Sequence, residues 1–305
     1  MTPKILTKNK ACVREPIYAA KILPNPIIQE ILMSMNTKHL ELHSTGFEQW
    51  NEWIKNDEES SHIPWESQKI HNNLSQRVAL LPTMLTWRPT IYTGIWFACF
   101  ECDNEVQDHP VTMLTRFDPG GFFPLHGHPG GEEILVLQGN FADETGVYPP
   151  GSYLLNPEGF IHRPYSDNGC LSFVKLRQHG GTTRQQLKTT IQKLAWENGV
   201  IPQIQVKFLY KQIDFPEKVW IEQWQAGTAL SNVVESEVKE IFVIEGIWSD
   251  ELGDYPMGSW LRYPPDSPYN PSSATGCMVY VKTYPISTTR FIVESDFQHP
   301  LEANI

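Results

Sequence analysis

The stretch Glu133-Ile-Leu-Val-Leu-Gln-Gly139 returns 107 positions later as Glu240-Ile-Phe-Val-Ile-Glu-Gly246. The likeness continues without a gap, because 19 of the 44 residues from position 133 onward are identical to the residue 107 positions further along. Similarity at one fixed spacing is typical of a duplicated structural unit. The sequence of 305 residues therefore predicts two copies of one fold, one after the other in the chain.

Each copy consists of short apolar runs that are separated by turn residues. In the first copy these runs are 134–138, 152–156 and 171–176, with glycine and proline dipeptides between them. Runs this short, bounded in this way, predict β-strands. The stretch 182–198 is ambiguous, because its apolar spacing fits a helix and its counterpart in the first copy fits a strand. We expect an all-β fold with one small barrel per copy.

The segment before the first copy has a different pattern. Asn25-Pro26 is typical of a helix start, and the apolar residues that follow recur at helical spacing. We predict a short, partly helical extension over residues 1–66, a first barrel over 67–180, a second barrel over 181–290 and a tail over 291–305. The apolar stripe of the extension is interpreted as packing on the barrels, and a lid or a dimer surface is the alternative.

Histidine and glutamate residues cluster in the first copy. His126 and His128 are two residues apart, which places both side chains on one face of a strand. Glu132 follows after a Pro-Gly-Gly turn, and His162 follows a second turn that can return the chain to the same place. Three imidazoles and one carboxylate suit a divalent ion such as iron, manganese, cobalt, nickel, copper or zinc. We predict one metal site with these four ligands, in the first barrel, and favour iron or zinc.

The second copy provides a comparison within the same chain. At the positions that match the four ligands it carries Val233, Glu235, Lys239 and Tyr269. All four ligands are replaced together, whereas the turn and core residues around them are retained. Residues that are lost as a set share a role that the scaffold does not need, as the ligands of one ion do. Glu133 keeps its counterpart, Glu240, and is therefore interpreted as structural.

Composition argues against several classes of function. The net charge of −11 has the opposite sign to a surface that binds nucleic acid or an anionic membrane, so neither partner is expected. Five cysteines are too few for a disulfide framework in a chain this long and indicate a reducing compartment. Cys99 and Cys102 lie in an apolar run and are interpreted as core residues. With no signal peptide pattern and no long apolar stretch, a cytoplasmic location is expected.

The spacing of the four ligands resembles the two sequence motifs of the cupin superfamily. The positions that fit the motifs are Gly120, His126, His128, Glu132 and Gly139 for the first, and Gly151, Pro157, Gly159 and His162 for the second. Within that superfamily, Phe141-Ala-Asp-Glu-Thr-Gly146 and Asn168-Gly-Cys170 resemble ChrR-like domains, which often occur as tandem pairs. The resemblance covers about residues 80–285 and implies two barrels of the jelly-roll, double-stranded β-helix type.

The resemblance implies two kinds of function. The founding ChrR protein is an anti-sigma factor whose N-terminal domain binds zinc through histidines and cysteines. His39 and His43 lie in the matching region here, but no Cys-x-x-Cys follows them, so that role does not carry over. Other members resemble small non-haem iron dioxygenases that cleave carbon–carbon bonds in diketones, typically with three histidine ligands. Glu132 is an addition to that three-histidine pattern.

We therefore expect a metal-dependent enzyme, a non-haem oxygenase that acts on a small organic substrate. Arg116 would bind a substrate carboxylate if its side chain points into the barrel, and a surface position is the alternative. Its counterpart in the second copy is Gln223. The alternative function is a non-catalytic, ChrR-like zinc-binding sensor or regulatory module, in which four protein ligands close the site. A homodimer is compatible with either function.

Protein purified without added metal is expected to contain one divalent ion per chain, because the second copy lacks the ligand set. Elemental analysis measures this ratio. A variant in which all four ligands are alanine should contain no stoichiometric metal. Two ions per wild-type chain, or a quadruple variant with its full complement of metal, would contradict the assignment.

Overall fold

The computed structural model describes residues 69–103 and 109–286. In this part of the chain the backbone forms 24 strands and two short 3-10 turns, without an α-helix. None of the described residues belongs to a helix that is long and apolar enough to cross a membrane. The all-β class that the sequence predicts is confirmed. The partly helical extension predicted over residues 1–66 and the tail over 291–305 lie outside the described residues.

Most of the strands are short, and the two repeats contribute matching series of them. The first repeat forms β1 (Lys69–Ile70), β2 (Val78–Leu80), a 3-10 turn (Pro82–Met84), β3 (Arg88–Pro89), β4 (Ile95–Asp103), β5 (Val111–Phe117), β6 (Gly121–Phe122), β7 (His126–His128), β8 (Glu132–Gly139), β9 (Phe141–Asp143), β10 (Gly146–Tyr148), β11 (Ser152–Asn156), β12 (Phe160–His162), β13 (Tyr165–Ser166) and β14 (Cys170–Leu176). The second repeat forms β15 (Leu187–Thr190), a 3-10 turn (Ile191–Lys193), β16 (Glu197–Asn198), β17 (Ile204–Lys211), β18 (Lys218–Trp224), β19 (Thr228–Ala229), β20 (Val238–Asp250), β21 (Gly253–Pro256), β22 (Trp260–Tyr263), β23 (Ser272–Ser273) and β24 (Cys277–Tyr284).

The first barrel is built on one large antiparallel sheet. Its strand order is β1-β4-β5-β14-β8-β11-β15, with β3 beside β4, and the smaller sheets β10-β9-β13-β6 and β12-β7 complete the barrel. Side chains alternate between the two faces of each strand. In β8, Ile134 belongs to the apolar cluster inside the barrel, and Leu135 belongs to the cluster shared with the second barrel.

The second barrel has the same plan but an aromatic interior. Its main sheet has the order β16-β17-β18-β24-β20-β22-β2. The buried side chains inside it include Trp224, Trp248, Tyr255, Tyr263 and Tyr269. Tyr263 and Tyr269 stack with their ring centres 4.1 Å apart. These large rings fill space that the first barrel leaves open.

The two barrels exchange one strand each. β2 precedes the first barrel in the chain but pairs with β22 of the second, with Leu80 opposite Trp260. β15 precedes the second barrel but pairs with β11 of the first, with Leu187 opposite Leu155. The ambiguous stretch 182–198 therefore contains β15, a 3-10 turn and β16, and the turn at 191–193 produces the apparent helical spacing. Separating the barrels would break the backbone hydrogen bonds of both exchanged strands.

An aromatic core lies between the barrels. The rings of Phe173 and Phe242 stack with centres 4.5 Å apart, and Phe100 stacks on Trp260 at 5.7 Å. Tyr280 meets Phe173 edge-on at 5.2 Å. All five side chains are almost completely buried. Rings in these arrangements add a directional attraction to the hydrophobic effect, so the contact fixes the orientation of the two sheets.

Two buried ion pairs cross this interface at equivalent positions of the repeats. Nζ of Lys282 in the second barrel lies 2.9 Å from Oε2 of Glu133 in the first. Lys175 of the first barrel pairs in turn with Glu240 of the second. The hydroxyl of Tyr280 also donates to Glu133, at 2.6 Å. These contacts agree with the structural role that the repeat comparison assigns to Glu133.

The substitution Lys175→Met is expected to lower the free energy of unfolding by roughly 3–5 kcal/mol, because it leaves the Glu240 carboxylate buried without the ammonium group that neutralises it. Urea-induced unfolding, followed by tryptophan fluorescence, measures the change. Lys193→Met removes an exposed lysine in the turn at 191–193 and should change the stability by less than about 0.5 kcal/mol. Equal stabilities of the two variants would show that the buried pair does not stabilise the interface.

Candidate metal centre

One small sheet brings the three histidines together. β7 and β12 pair antiparallel, with His126 opposite His162 and His128 opposite Phe160. Side chains alternate along a strand, so the histidines point into the barrel and Ile161 points out, where it is 58% exposed. The His-x-His spacing therefore directs His126 and His128 to the same face of β7, as the sequence predicts.

The nitrogen atoms of the three histidines converge on one point. Their ligating atoms all lie within 4.8 Å of one another. The Nε2 atoms of His128 and His162 are 2.9 Å apart. Oε2 of Glu132 lies 3.6 Å from Nε2 of His128 and 3.5 Å from Nε2 of His162. The structure thus brings the three histidines together and places the carboxylate of Glu132 beside His128 and His162.

Neighbouring groups orient three of these side chains. Nδ1 of His126 donates to the carbonyl oxygen of Pro124 at 2.8 Å, which leaves Nε2 as the lone-pair donor of that ring. Nδ2 of Asn156 donates to Oε2 of Glu132 at 3.0 Å. Oδ2 of Asp143 lies 3.6 Å from Nδ1 of His162, on the side of the ring that faces away from the other histidines. Metal-binding histidines are commonly held by such acceptors.

The protonation states also suit metal binding. Burial lowers the pKa of His128 to about 3 and lowers the pKa of His126. Burial acts in the same direction on His162, but Glu132 and Asp143 outweigh it and raise its pKa. For Glu132, burial acts to raise the pKa, yet His128 and His162 outweigh this effect and hold it below its ordinary value. The shifts of His126, His128 and Glu132 favour free imidazole lone pairs and a charged carboxylate, as metal binding requires.

The residues fit a divalent ion. Two buried imidazole nitrogens that face each other at 2.9 Å can share at most one proton, and a carboxylate lies beside both of them. Bonds of about 2.0–2.2 Å from nitrogen or carboxylate oxygen to a central ion place two ligand atoms up to about 4.4 Å apart. The observed spread of the histidine atoms, within 4.8 Å, is close to this range.

His126, His128 and Glu132 line a pocket inside the first barrel. Its volume is about 50 Å³, several times the roughly 10–15 Å³ that one water molecule needs. Most of the wall is apolar and includes Phe97, Met113, Phe117, Phe123, Ile134 and Val174. The polar side chains in the wall, besides the ligands, are those of Thr115, Ser172 and Arg177. The pocket can take a small molecule that is mostly apolar.

Arg116 does not line this pocket. Its guanidinium carbon lies 4.6 Å from the ring centre of Trp96, and its Nε is 3.2 Å from Oδ1 of Asp118. Its neighbours in β5, Thr115 and Phe117, both line the pocket, so the alternation of the strand directs Arg116 to the opposite face. The substrate-binding position expected for Arg116 is corrected accordingly.

Arg177 is the basic residue of the pocket wall that sequence reasoning missed. It directly follows β14 and has a φ of 58°, in the left-handed region that residues other than glycine rarely adopt. Its backbone N–H donates to the carbonyl of Gly131 at 3.1 Å. Burial is the main cause of the low pKa of His128, and the charge of Arg177 adds to it. Comparison of the two repeats could have identified Arg177, because its counterpart in the second repeat is Tyr284.

In the second barrel, side chains occupy the positions of the ligands. Nζ of Lys239, at the position of Glu132, lies 3.2 Å from Oε1 of Glu235, at the position of His128. Burial acts to lower the pKa of Lys239, but Glu222, Tyr269 and Glu235 outweigh it and raise that pKa. The ammonium group of Lys239 therefore stays charged and is neutralised by carboxylates inside the barrel.

The chain belongs to the family of ChrR cupin-like domains. The model of this family matches it twice, over residues 75–180 and 184–287, which is more than half of its length. The matches correspond to the two repeats, so the protein is a tandem pair of such domains, as the sequence motifs indicated. A comparison with curated proteins finds no match.

Solved structures with the same fold come from diverse bacteria. A candidate dioxygenase from Nostoc punctiforme is 13% identical with a TM-score of 0.56, over 73% of this chain and 84% of its own. The pirin YhhW from Escherichia coli, in complex with nickel(II), is 11% identical with a TM-score of 0.54, over 69% and 99%. The oxalate decarboxylase of Lactobacillus farciminis, in complex with formate, is 11% identical with a TM-score of 0.52, over 71% and 88%. At these identities the likeness shows the fold alone.

Asp143→Asn is expected to weaken zinc binding by roughly 10–100-fold, because the ring of His162 loses the carboxylate that orients it. Competition with a chromophoric chelator measures the dissociation constant. Asp167→Asn, at an exposed position of the same barrel, serves as the control and should change it less than about twofold. Equal zinc affinities of the two variants would exclude a role of Asp143 in the metal centre.

Proposed function

We propose that this protein is a metal-dependent cupin enzyme, a non-haem oxygenase that acts on a small organic substrate. The observation that carries the proposal is the convergence of three histidines, with Glu132 beside two of them, at an apolar pocket. The family membership supports it, because cupin barrels hold divalent metals at these motif positions. The nickel(II) complex of the pirin YhhW and the candidate dioxygenase from Nostoc punctiforme are compatible relatives in fold.

In this proposal His126, His128, Glu132 and His162 hold one divalent ion, with iron or zinc favoured over manganese, nickel and copper. When bound, the ion supplies Lewis acidity and, if it is redox-active, electron transfer between substrate and dioxygen. The carboxylate of Glu132 offsets one of its positive charges. The neutral imidazoles present lone pairs without adding charge, so the centre keeps a net positive charge toward the pocket.

The other residues of the site orient the ligands and exclude water. Hydrogen bonds to Pro124 and from Asn156 fix the ring of His126 and the carboxylate of Glu132, and Asp143 lies 3.6 Å from the ring of His162. The ring of Phe123 lies 5.5 Å from that of His126 and packs edge-on against Phe117 at 5.7 Å. An apolar wall next to the ligands strengthens electrostatic interactions with a bound substrate, because it removes competing water.

The second candidate is a non-catalytic zinc-binding sensor or regulatory module. The observation in its favour is that four protein side chains supply donors, which is the number that a closed tetrahedral zinc site uses. The pocket beside the donors favours the enzyme, because a closed structural site has no need of an adjoining cavity. X-ray absorption spectra of the metal-loaded protein separate the two, since five or six ligands are expected for the enzyme and four for the sensor.

Protein loaded anaerobically with iron(II) is expected to consume dioxygen when a small diketone or a related substrate is added. An oxygen electrode measures the rate across a panel of such compounds. His128→Ala should reduce the rate at least 100-fold, by analogy with the loss of metal affinity that follows removal of metal-site groups. Lys193→Met, which removes an exposed lysine outside the pocket, is the control. Equal rates for wild type and His128→Ala, or no uptake with any compound, would contradict the oxygenase proposal.

A further inference from the structure

Two hydroxyl groups lie side by side in the wall of the pocket. Thr115 in β5 and Ser172 in β14 are direct partners across the strands, and both residues belong to the lining of the pocket. Thr115 is 4% exposed and Ser172 is 0% exposed. Neither hydroxyl has a hydrogen-bond partner among the described residues. The thiol of Cys170, on the same face of β14, is at most a weak partner of Ser172.

A buried hydroxyl without a partner destabilises a protein, and most such groups find one. Here two of them occur at adjacent positions, in a wall that is otherwise mostly aromatic and aliphatic apart from the candidate ligands and Arg177. An alanine and a valine would fill the same space without that penalty. The pair therefore indicates a group that enters the pocket and completes the hydrogen bonds.

The second barrel shows that the scaffold does not require these hydroxyls. The counterparts of Thr115 and Ser172 are Glu222 and Val279, which are again direct partners across two strands. The carboxylate of Glu222 accepts hydrogen bonds from the indole N–H groups of two tryptophans, each at 2.8 Å. The carboxylate of Glu222 thus has hydrogen-bond partners inside the second barrel. The hydroxyls of Thr115 and Ser172 have none among the described residues.

A second pair of serines provides the contrast. Ser152 of the first barrel and its counterpart Ser259 are also buried, and their hydroxyls also have no partner among the described residues. They are the same in both repeats and do not line the pocket. The Thr115–Ser172 pair differs between the repeats, as the four metal ligands do. By the same reasoning it belongs to the function of the first barrel.

The charges of the pocket favour an anion. The charged side chains among its lining residues are Glu132 and Arg177, which cancel one another. A divalent ion among the ligands then gives the pocket a net positive charge. The potential in an apolar cleft is concentrated by its low dielectric walls and attracts ligands of the opposite sign. A small carboxylate with an apolar body combines the negative charge, the oxygen acceptors and the size that this pocket fits.

We propose that Thr115 and Ser172 form a recognition subsite, called the hydroxyl pair below, which donates hydrogen bonds to the oxygen atoms of a small monocarboxylate substrate. The inference rests on the proposed function, because it assigns the substrate class of the same pocket. Each hydroxyl, which lacks a hydrogen-bond partner among the described residues, donates to a carboxylate oxygen of the substrate. The aromatic and aliphatic wall contacts the hydrocarbon part of the ligand.

Isothermal titration of the cobalt(II)-loaded protein with isobutyrate tests the proposal. Thr115→Val and Ser172→Ala should each raise the dissociation constant of isobutyrate about tenfold, as expected for loss of a hydrogen bond to a charged group. Thr115→Ser, which keeps a hydroxyl, should restore most of the affinity. Ser152→Ala is the matched control, because it removes a buried hydroxyl outside the pocket, and should leave the constant within about twofold.

Isobutyramide, a neutral molecule of the same shape, should bind at least tenfold more weakly than isobutyrate to the wild type. The melting temperatures of Thr115→Val and Ser172→Ala should equal or exceed that of the wild type, because removal of an unpartnered buried hydroxyl relieves its penalty. A lower melting temperature of both variants would show that the hydroxyls are structural and overturn the proposal. Unchanged isobutyrate affinity in both variants, equal binding of the amide, or no binding of isobutyrate by the wild type would do the same.

The two proposals fail in different ways. If iron-loaded protein consumes no dioxygen but isobutyrate binding still depends on the hydroxyl pair, the oxygenase reaction is wrong and the carboxylate subsite stands. If oxygen consumption is found and its KM is the same in wild type, Thr115→Val and Ser172→Ala, the hydroxyl pair is not a recognition subsite and the oxygenase stands.

Discussion

The structure depends on the alternation of side chains at two adjacent residues of β8, Glu132 and Glu133. Because consecutive side chains of a strand point to opposite faces, one carboxylate enters the first barrel and the other enters the interface between the barrels. Glu132 meets the histidines at 3.5–3.6 Å, and Glu133 meets Lys282 at 2.9 Å. A slip of β8 by one residue would reverse both, placing each carboxylate among the wrong partners. The ion pair at the interface therefore also fixes the register of the candidate metal ligand.

At the interface that holds this register, neither barrel is complete without residues from the other repeat. Each barrel borrows a strand from the other repeat, and crossed ion pairs connect the sheets at equivalent positions. Breaking a buried ion pair leaves an uncompensated charge in an apolar environment, which is costly in free energy. The second barrel thus contributes to the site although it carries none of the four candidate ligands. It completes the sheet, and its Lys282 neutralises the residue next to Glu132.

The two barrels share one fold but fill their interiors in different ways. In the second barrel, stacked tyrosines and the Lys239–Glu235 pair occupy the space, and the charges are neutralised by side chains. In the first barrel, smaller side chains leave a pocket, and polar groups in its wall lack partners among the described residues. Burial of polar groups without partners is destabilising, so the proposed ion and ligand would stabilise the first barrel by completing these interactions.

The sequence by itself determined the duplication, the all-β class and the four side chains of the candidate metal centre. It could do so because these features depend on local spacing, such as the two-residue period that aligns His126 with His128, and on the offset between the repeats. The direction of Arg116 and the presence of Arg177 in the pocket wall were decided only by the tertiary structure. So were the strand exchange, the strand at 187–190 and the pairing of Thr115 with Ser172. These depend on which strands become neighbours and which face of each strand is enclosed, and non-local packing decides both.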